Sequence, residues 1–93
     1  MKIIGNCITF YSSPENFRKE LYGSKPNTVR ILDRKEERAV QAARNKLKRI
    51  LITDTHTGQS FERELTDITN FEFTHEDIEI WIFSWKNYKL IDE

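Results

Sequence analysis

An alternating run of large apolar residues near the end of the chain most constrains its fold. Over residues 78–85, side chains two apart in sequence share one face of an extended strand. The run places Ile78, Ile80 and Ile82 on one face and Trp81, Phe83 and Trp85 on the other. Because both faces are apolar, we expect one to line the inside of a small barrel and the other to lie under a helix. An aromatic stripe can also stack nucleobases, but in a chain this small it is typical of a core.

Capping residues organise the first part of the chain. An isoleucine-rich strand over Lys2–Phe10 precedes a helix, which starts either with a Ser12–Glu15 capping box or with a Ser13 cap before Pro14. The sequence fits both alternatives. We expect Glu20 to face solvent, because the buried stripe of this helix consists of Phe17 and Leu21.

The remaining segments predict a second helix and further strands. Asp33 and Glu36 form a capping pair that opens a helix running to about Lys46. The other predicted strands are Asn27–Leu32, Lys48–Asp54, Phe61–Leu65 and Ile68–Phe73, with a hairpin turn at residues 55–59. The 93 residues therefore predict one domain, 1–93, of the α+β class: a small curled sheet or barrel of five to six strands with two helices.

Composition excludes several classes of site. Cys7 is the only cysteine, so there is no internal disulfide, and His56 and His75 do not complete a Cys/His metal site. We expect no metal and no cofactor. No apolar run approaches the roughly 20 residues of a membrane span, so we expect a cytoplasmic protein without a membrane partner.

The charges are divided along the chain although the formal net charge is zero. Residues 18–49 hold eleven Lys and Arg against four acids, whereas residues 50–93 hold three bases against ten acids. A domain divided in this way can present a basic face to an anion. Alternatively, the two halves interleave in space and cancel, and the sequence leaves both possibilities open.

The junction between the first helix and the second strand combines backbone and charge signals. Gly23 suits the end of a helix and Pro26 stiffens the turn. Thr28 and Arg30 share one face of the following strand, with Lys25 in the turn beside them. A hydroxyl, an ammonium and a guanidinium placed together suit a phosphate, a carboxylate or a polarised carbonyl.

These residues resemble a known signature. The segment Ile8-Thr9-Phe10-Tyr11, a short helix, and then Gly23-x-Lys25-x-x-Thr28-x-Arg30 is similar to the ASCH domains of the PUA-like superfamily over about residues 7–31. The similarity is greatest to short bacterial members that resemble acetylcytidine amidohydrolases. It implies a small β-barrel in which the signature lies beside the ligand cleft.

The resemblance also implies roles for individual residues. Thr28 would be a nucleophile, Lys25 the base that accepts its proton, and a glutamate from later in the chain would complete the set. Of the three candidates we choose Glu72, because its apolar neighbours Phe71 and Phe73 would desolvate it. The other two candidates are Glu76 and Glu79.

Three functions follow as hypotheses. The first is a nucleotide- or RNA-binding module with its ligand site at the Gly23–Arg30 turn. The ligand-binding residues would be Gly23, Lys25, Thr28, Arg30 and Arg49, aided by Arg34 and Lys48. The second is an amidohydrolase acting on an N-acylated nucleoside. The third is a small accessory or inhibitory protein of a mobile element, binding a protein partner through its acidic C-terminal half.

Overall fold

Six strands and two helices make up the part of the chain that the structure, a computed structural model, describes: residues 1–23, 25–72 and 79–86. The strands are β1 (Lys2–Ile4), β2 (Cys7–Ser12), β3 (Asn27–Leu32), β4 (Arg49–Asp54), β5 (Ser60–Glu72) and β6 (Glu79–Trp85). The helices are α1 (Pro14–Leu21), which follows β2, and α2 (Arg34–Ala43), which follows β3.

The strands form one mixed sheet in the order β1-β2-β4-β5-β6-β3. β2 and β4 are parallel, and the other neighbouring pairs are antiparallel. The first part of β5 pairs with β4 and its second part with β6, so this long strand joins the two halves of the sheet. The α+β prediction with six strands and two helices is confirmed. Among the described residues the sheet does not close into a barrel, because β1 and β3 remain its edges.

Two of the predicted strand boundaries are wrong. The single strand expected over residues 2–10 is a hairpin of β1 and β2, turned by Gly5 with a φ of 60° and by Asn6. The two strands expected over residues 61–73 are one strand, β5, with a register irregularity between Leu65 and Asp67. A bulge keeps the ladder continuous where the sequence pattern changes phase. Phe73 lies outside the described residues.

Both helices begin at the predicted capping residues. Ser13 caps α1 by accepting a hydrogen bond from the Asn16 N–H, and Pro14 takes the first helical position, which decides between the two alternatives. Asp33 and Glu36 form a reciprocal capping box on α2. α2 ends at Ala43, three residues before the predicted end, and a turn follows it.

The core lies on the inner face of the sheet and is largely aromatic. Phe10 packs on Phe83 at 4.9 Å between ring centroids, and Phe17 of α1 packs on Phe61 at 5.3 Å. Trp81, Phe83 and Trp85 are buried, as the alternation predicts for one face of β6. The expectation that a helix covers the other face is not met among the described residues. There Val29, Ile31 and Phe71 are exposed, because Phe17 of α1 and Val40 of α2 pack into the inner core.

Candidate functional site

The predicted junction lies at the free edge of the sheet. α1 ends at Leu21, Gly23 takes a φ of 82°, and the Lys25 N–H donates to the carbonyl oxygen of Lys19, folding the turn back onto the helix. β3 then begins, and Thr28 and Arg30 share one face of it as predicted; this is the inner face of the sheet. The turn therefore brings Lys25 to the side of α1 next to the start of β3.

Arg30 connects the edge strand β3 to β2. Its Nη1 donates to the carbonyl oxygen of Tyr11 at 2.6 Å, and its Nη2 donates to Ser12 Oγ at 2.7 Å. Its Nε donates to Thr28 Oγ1 at 2.9 Å, and the guanidinium lies 4.7 Å from the centre of the Phe10 ring. Tyr11 and Ser12 extend beyond the part of β2 that pairs with β1. The Arg30 side chain thus spans the seam between β2 and β3, where the sheet fails to close.

Glu20 completes this group of side chains from α1. Ser12 Oγ donates to Glu20 Oε1 at 2.8 Å, and Lys25 Nζ lies 3.8 Å from Glu20 Oε2. Glu20 is only 1% exposed, so the expectation that it faces solvent is wrong. The sequence contained a signal, because Glu20 follows the buried Phe17 by three residues and so shares its helix face. We call Ser12, Glu20, Lys25, Thr28 and Arg30 the seam cluster.

The seam cluster has a formal charge of +1, from two cations and one carboxylate. Burial lowers the pKa of the Arg30 guanidinium, and the charge of Glu20 partly offsets this shift. An arginine starts so far above neutral pH that it stays protonated. The Lys25 side chain is 31% exposed and Thr28 is 2% exposed. The lysine is therefore partly open to solvent, and the threonine is enclosed.

Arg49 is not brought to the seam cluster. It begins β4 in register with Cys7, whereas Ser12 is in register with Asp54 at the other end of that strand. Five residues of strand separate the two positions by about 17 Å. Arg49 pairs with Glu62 of β5, and so joins the basic and acidic halves of the sequence.

Glu72 also lies away from the seam cluster. It ends β5 in register with Glu79, which pairs with Leu32 of β3. Thr28 lies four residues from Leu32 along β3, a separation of about 13 Å. Glu79 instead approaches Glu37 of α2, and a hydrogen bond between the two side chains raises the pKa of Glu37. Glu76 lies outside the described residues, as do Asp77, Asp92 and Glu93 of the acidic half.

A concavity lies at another part of the sheet, away from the seam cluster. It has a volume of about 270 Å³ and is lined by Arg44, Leu47, Lys48 and residues 65–68. Arg44 donates to the carbonyl oxygen of Ile68 and lies 5.6 Å from the centre of the Trp81 ring. These contacts tie the end of α2 to β5 and β6, so a structural role accounts for the Arg44 charge.

Within residues 1–23, 25–72 and 79–86, no group of three or more His, Cys, Asp or Glu side chains is placed to hold a metal ion. In the same ranges, every helix is too short or too polar to cross a membrane. Comparison with protein-family models, with curated proteins and with solved structures gave no match for this chain.

Proposed function

We propose that this chain is a small nucleotide- or RNA-binding module whose ligand site is the seam cluster. The observation that carries the proposal is the placement of Arg30, a cation held by three hydrogen bonds at an open seam. The partly exposed Lys25 lies beside the Glu20 carboxylate in the same cluster. A guanidinium fixed in this way presents its donors in a set direction, which suits a phosphate oxygen.

Arg30 keeps donors for a ligand. An arginine has five N–H groups, and three of them are used in the bonds to Thr28, Tyr11 and Ser12. Among the described residues, one N–H on each terminal nitrogen is left over. The Lys25 ammonium adds a mobile donor at the solvent side. Together these groups can bind two oxygens of one phosphate.

The resemblance to ASCH domains supports the same site. In those proteins the signature that Gly23, Lys25, Thr28 and Arg30 match lies beside the ligand cleft. Here Lys25, Thr28 and Arg30 of that signature belong to the seam cluster, and Gly23 lies in the turn before it. An ASCH-like ligand cleft is thus part of the proposal.

The test is binding of a fluorescent single-stranded RNA and of nucleotides, followed at two salt concentrations. We expect Lys25→Gln to weaken binding at least about tenfold, and salt to weaken binding to the unaltered protein, because phosphate contacts release counterions. Lys35→Gln is the matched control, since Lys35 is exposed on α2 away from the seam cluster. Equal affinity of Lys25→Gln and Lys35→Gln for every ligand would reject the proposal.

Amide hydrolysis is the second candidate, and the Glu20 carboxylate beside Lys25 is the observation that favours it. With Thr28 as the nucleophile and Lys25 as the base, Glu20 would replace the later glutamate that the resemblance implies. Lys25 would take the proton of the Thr28 hydroxyl as Oγ1 attacks the acyl carbon, and would pass that proton to the amine nitrogen as the C–N bond breaks. Water would then hydrolyse the threonyl ester and release the acid. However, Thr28 is enclosed, and its Oγ1 accepts a hydrogen bond from Arg30 Nε, so this hydrogen bond has to break before Oγ1 can attack a substrate.

Incubation with N4-acetylcytidine tests this second candidate. Release of cytidine and acetate by the unaltered protein, lost in Thr28→Ala, would support hydrolysis. Equal release by the two proteins would reject hydrolysis of this substrate by Thr28.

A further inference from the structure

The buried carboxylate of the seam cluster sets the charge that a ligand has to match. Glu20 is 1% exposed and is held by Ser12 and Lys25, so it is not free to swing into solvent when a ligand arrives. Its negative charge therefore stays in the site. With Lys25 and Arg30 the site presents a net charge of +1 to an incoming anion.

A ligand with one negative charge brings the net charge of this site to zero, and a ligand with two brings it to −1. An internucleotide phosphodiester carries one negative charge. A terminal phosphate carries between about −1.5 and −2 at pH 7, because its second pKa is about 6. An excess charge in a partly buried site is unfavourable, since less water reaches it there than in solution and no further cation of the seam cluster balances it.

The donor geometry favours the same ligand. A phosphodiester has two non-bridging oxygens, and the terminal nitrogens of Arg30 have one remaining N–H each among the described residues. A terminal phosphate has a third non-bridging oxygen that needs its own donor. Besides Arg30, the charged groups of this site are the Lys25 ammonium, which already lies 3.8 Å from Glu20 Oε2, and the Glu20 carboxylate itself, which repels such an oxygen.

We propose that the seam cluster binds the internucleotide phosphodiester of an oligoribonucleotide in preference to the terminal phosphate of a mononucleotide, and that Glu20 is the residue that discriminates between them. This inference rests on the proposed function, because it names the ligand class of the same site.

The experiment compares two ligands with two variants. The ligands are a dinucleotide without terminal phosphates and a nucleoside 5′-monophosphate of the same base, titrated at pH 8. We expect the unaltered protein to bind the dinucleotide at least about tenfold more tightly. Glu20→Gln should strengthen binding of the monophosphate more than that of the dinucleotide, so that the ratio shrinks. Glu15→Gln, the same change on an exposed position of α1, should leave the ratio unchanged.

A pH series keeps the inference testable if Glu20→Gln does not fold. Lowering the pH through 6 gives the monophosphate a single charge, so its affinity for the unaltered protein should rise relative to that of the dinucleotide. Equal affinities at pH 8, or a ratio that pH and Glu20→Gln both leave unchanged, would overturn the inference but keep the proposed function. Binding of neither ligand, nor of longer RNA, would overturn both.

Discussion

Two acid–base contacts in this molecule differ mainly in burial. Glu20 is enclosed among Ser12, Lys25 and Arg30, whereas Arg49 and Glu62 pair across β4 and β5 with both side chains 44% exposed. Water and salt compensate for the loss of the exposed pair, but no solvent reaches the Glu20 carboxylate to replace its partners. The comparison teaches that the charge pattern of this sequence does not show which charges the fold encloses, because enclosure depends on the contacts that each side chain makes.

The largest expected difference between the two contacts is in stability. Glu20→Ala leaves Arg30 and Ser12 without their carboxylate, so we expect it to lower the free energy of unfolding by about 3–5 kcal/mol. Glu62→Ala should cost less than about 1 kcal/mol. Urea denaturation of both variants measures the difference. Equal losses for the two would show that burial does not separate the contacts.

Removing one buried hydroxyl should lower the stability of the fold by less than removing the Glu20 carboxylate does. Ser12 Oγ accepts from Arg30 and donates to Glu20 in a buried position. We expect Ser12→Ala to destabilise the fold by about 1–3 kcal/mol, because the partners lose a hydrogen bond that water does not restore. Ser60→Ala is the control, since the Ser60 hydroxyl forms its 2.7 Å hydrogen bond with the Thr53 hydroxyl at an exposed position. A Ser60→Ala loss as large as that of Ser12→Ala, measured by the same denaturation, would contradict this account.

The smallest expected effect lies beside the exposed pair. Burial raises the pKa of the Cys7 thiol, and the charge of Glu62 raises it further while that of Arg49 lowers it. Glu62→Gln should therefore lower this pKa and speed alkylation of Cys7 roughly twofold at pH 8, because the thiolate is the reacting form. Glu64→Gln, an equal change on the same strand, is the control. An unchanged or slower rate in Glu62→Gln would count against the electrostatic coupling.

Local sequence signals predicted much of the fold. The bounds of β3, the caps of both helices and the aromatic face of β6 follow from capping chemistry and two-residue alternation, which act over a few residues. The Gly5 hairpin was missed because the surrounding isoleucines continue the strand pattern on both sides of the turn. The continuity of β5 was missed because its bulge shifts the alternation at residues 65–67.

The candidate site was predicted only in part. Lys25, Thr28 and Arg30 lie within six residues of each other, so their proximity follows from the local turn. The stripe of Phe17 and Leu21 predicts that Glu20 faces solvent, whereas the burial of Glu20 depends on partners from β2 and the turn. The sequence singles out Arg49 by its charge and Glu72 by its apolar neighbours, and neither property specifies the end of a strand at which a residue lies.

The most direct test of the seam cluster is an NMR titration of the ¹⁵N-labelled protein with a dinucleotide that has one phosphodiester and no terminal phosphate. We expect saturable shift changes at residues 11–12, 20–23 and 25–30, and their loss in Lys25→Gln. Residues around Arg49 and Glu62, at the other end of β4, should not respond. Changes centred on that exposed pair, or no saturable change at the seam, would contradict the account.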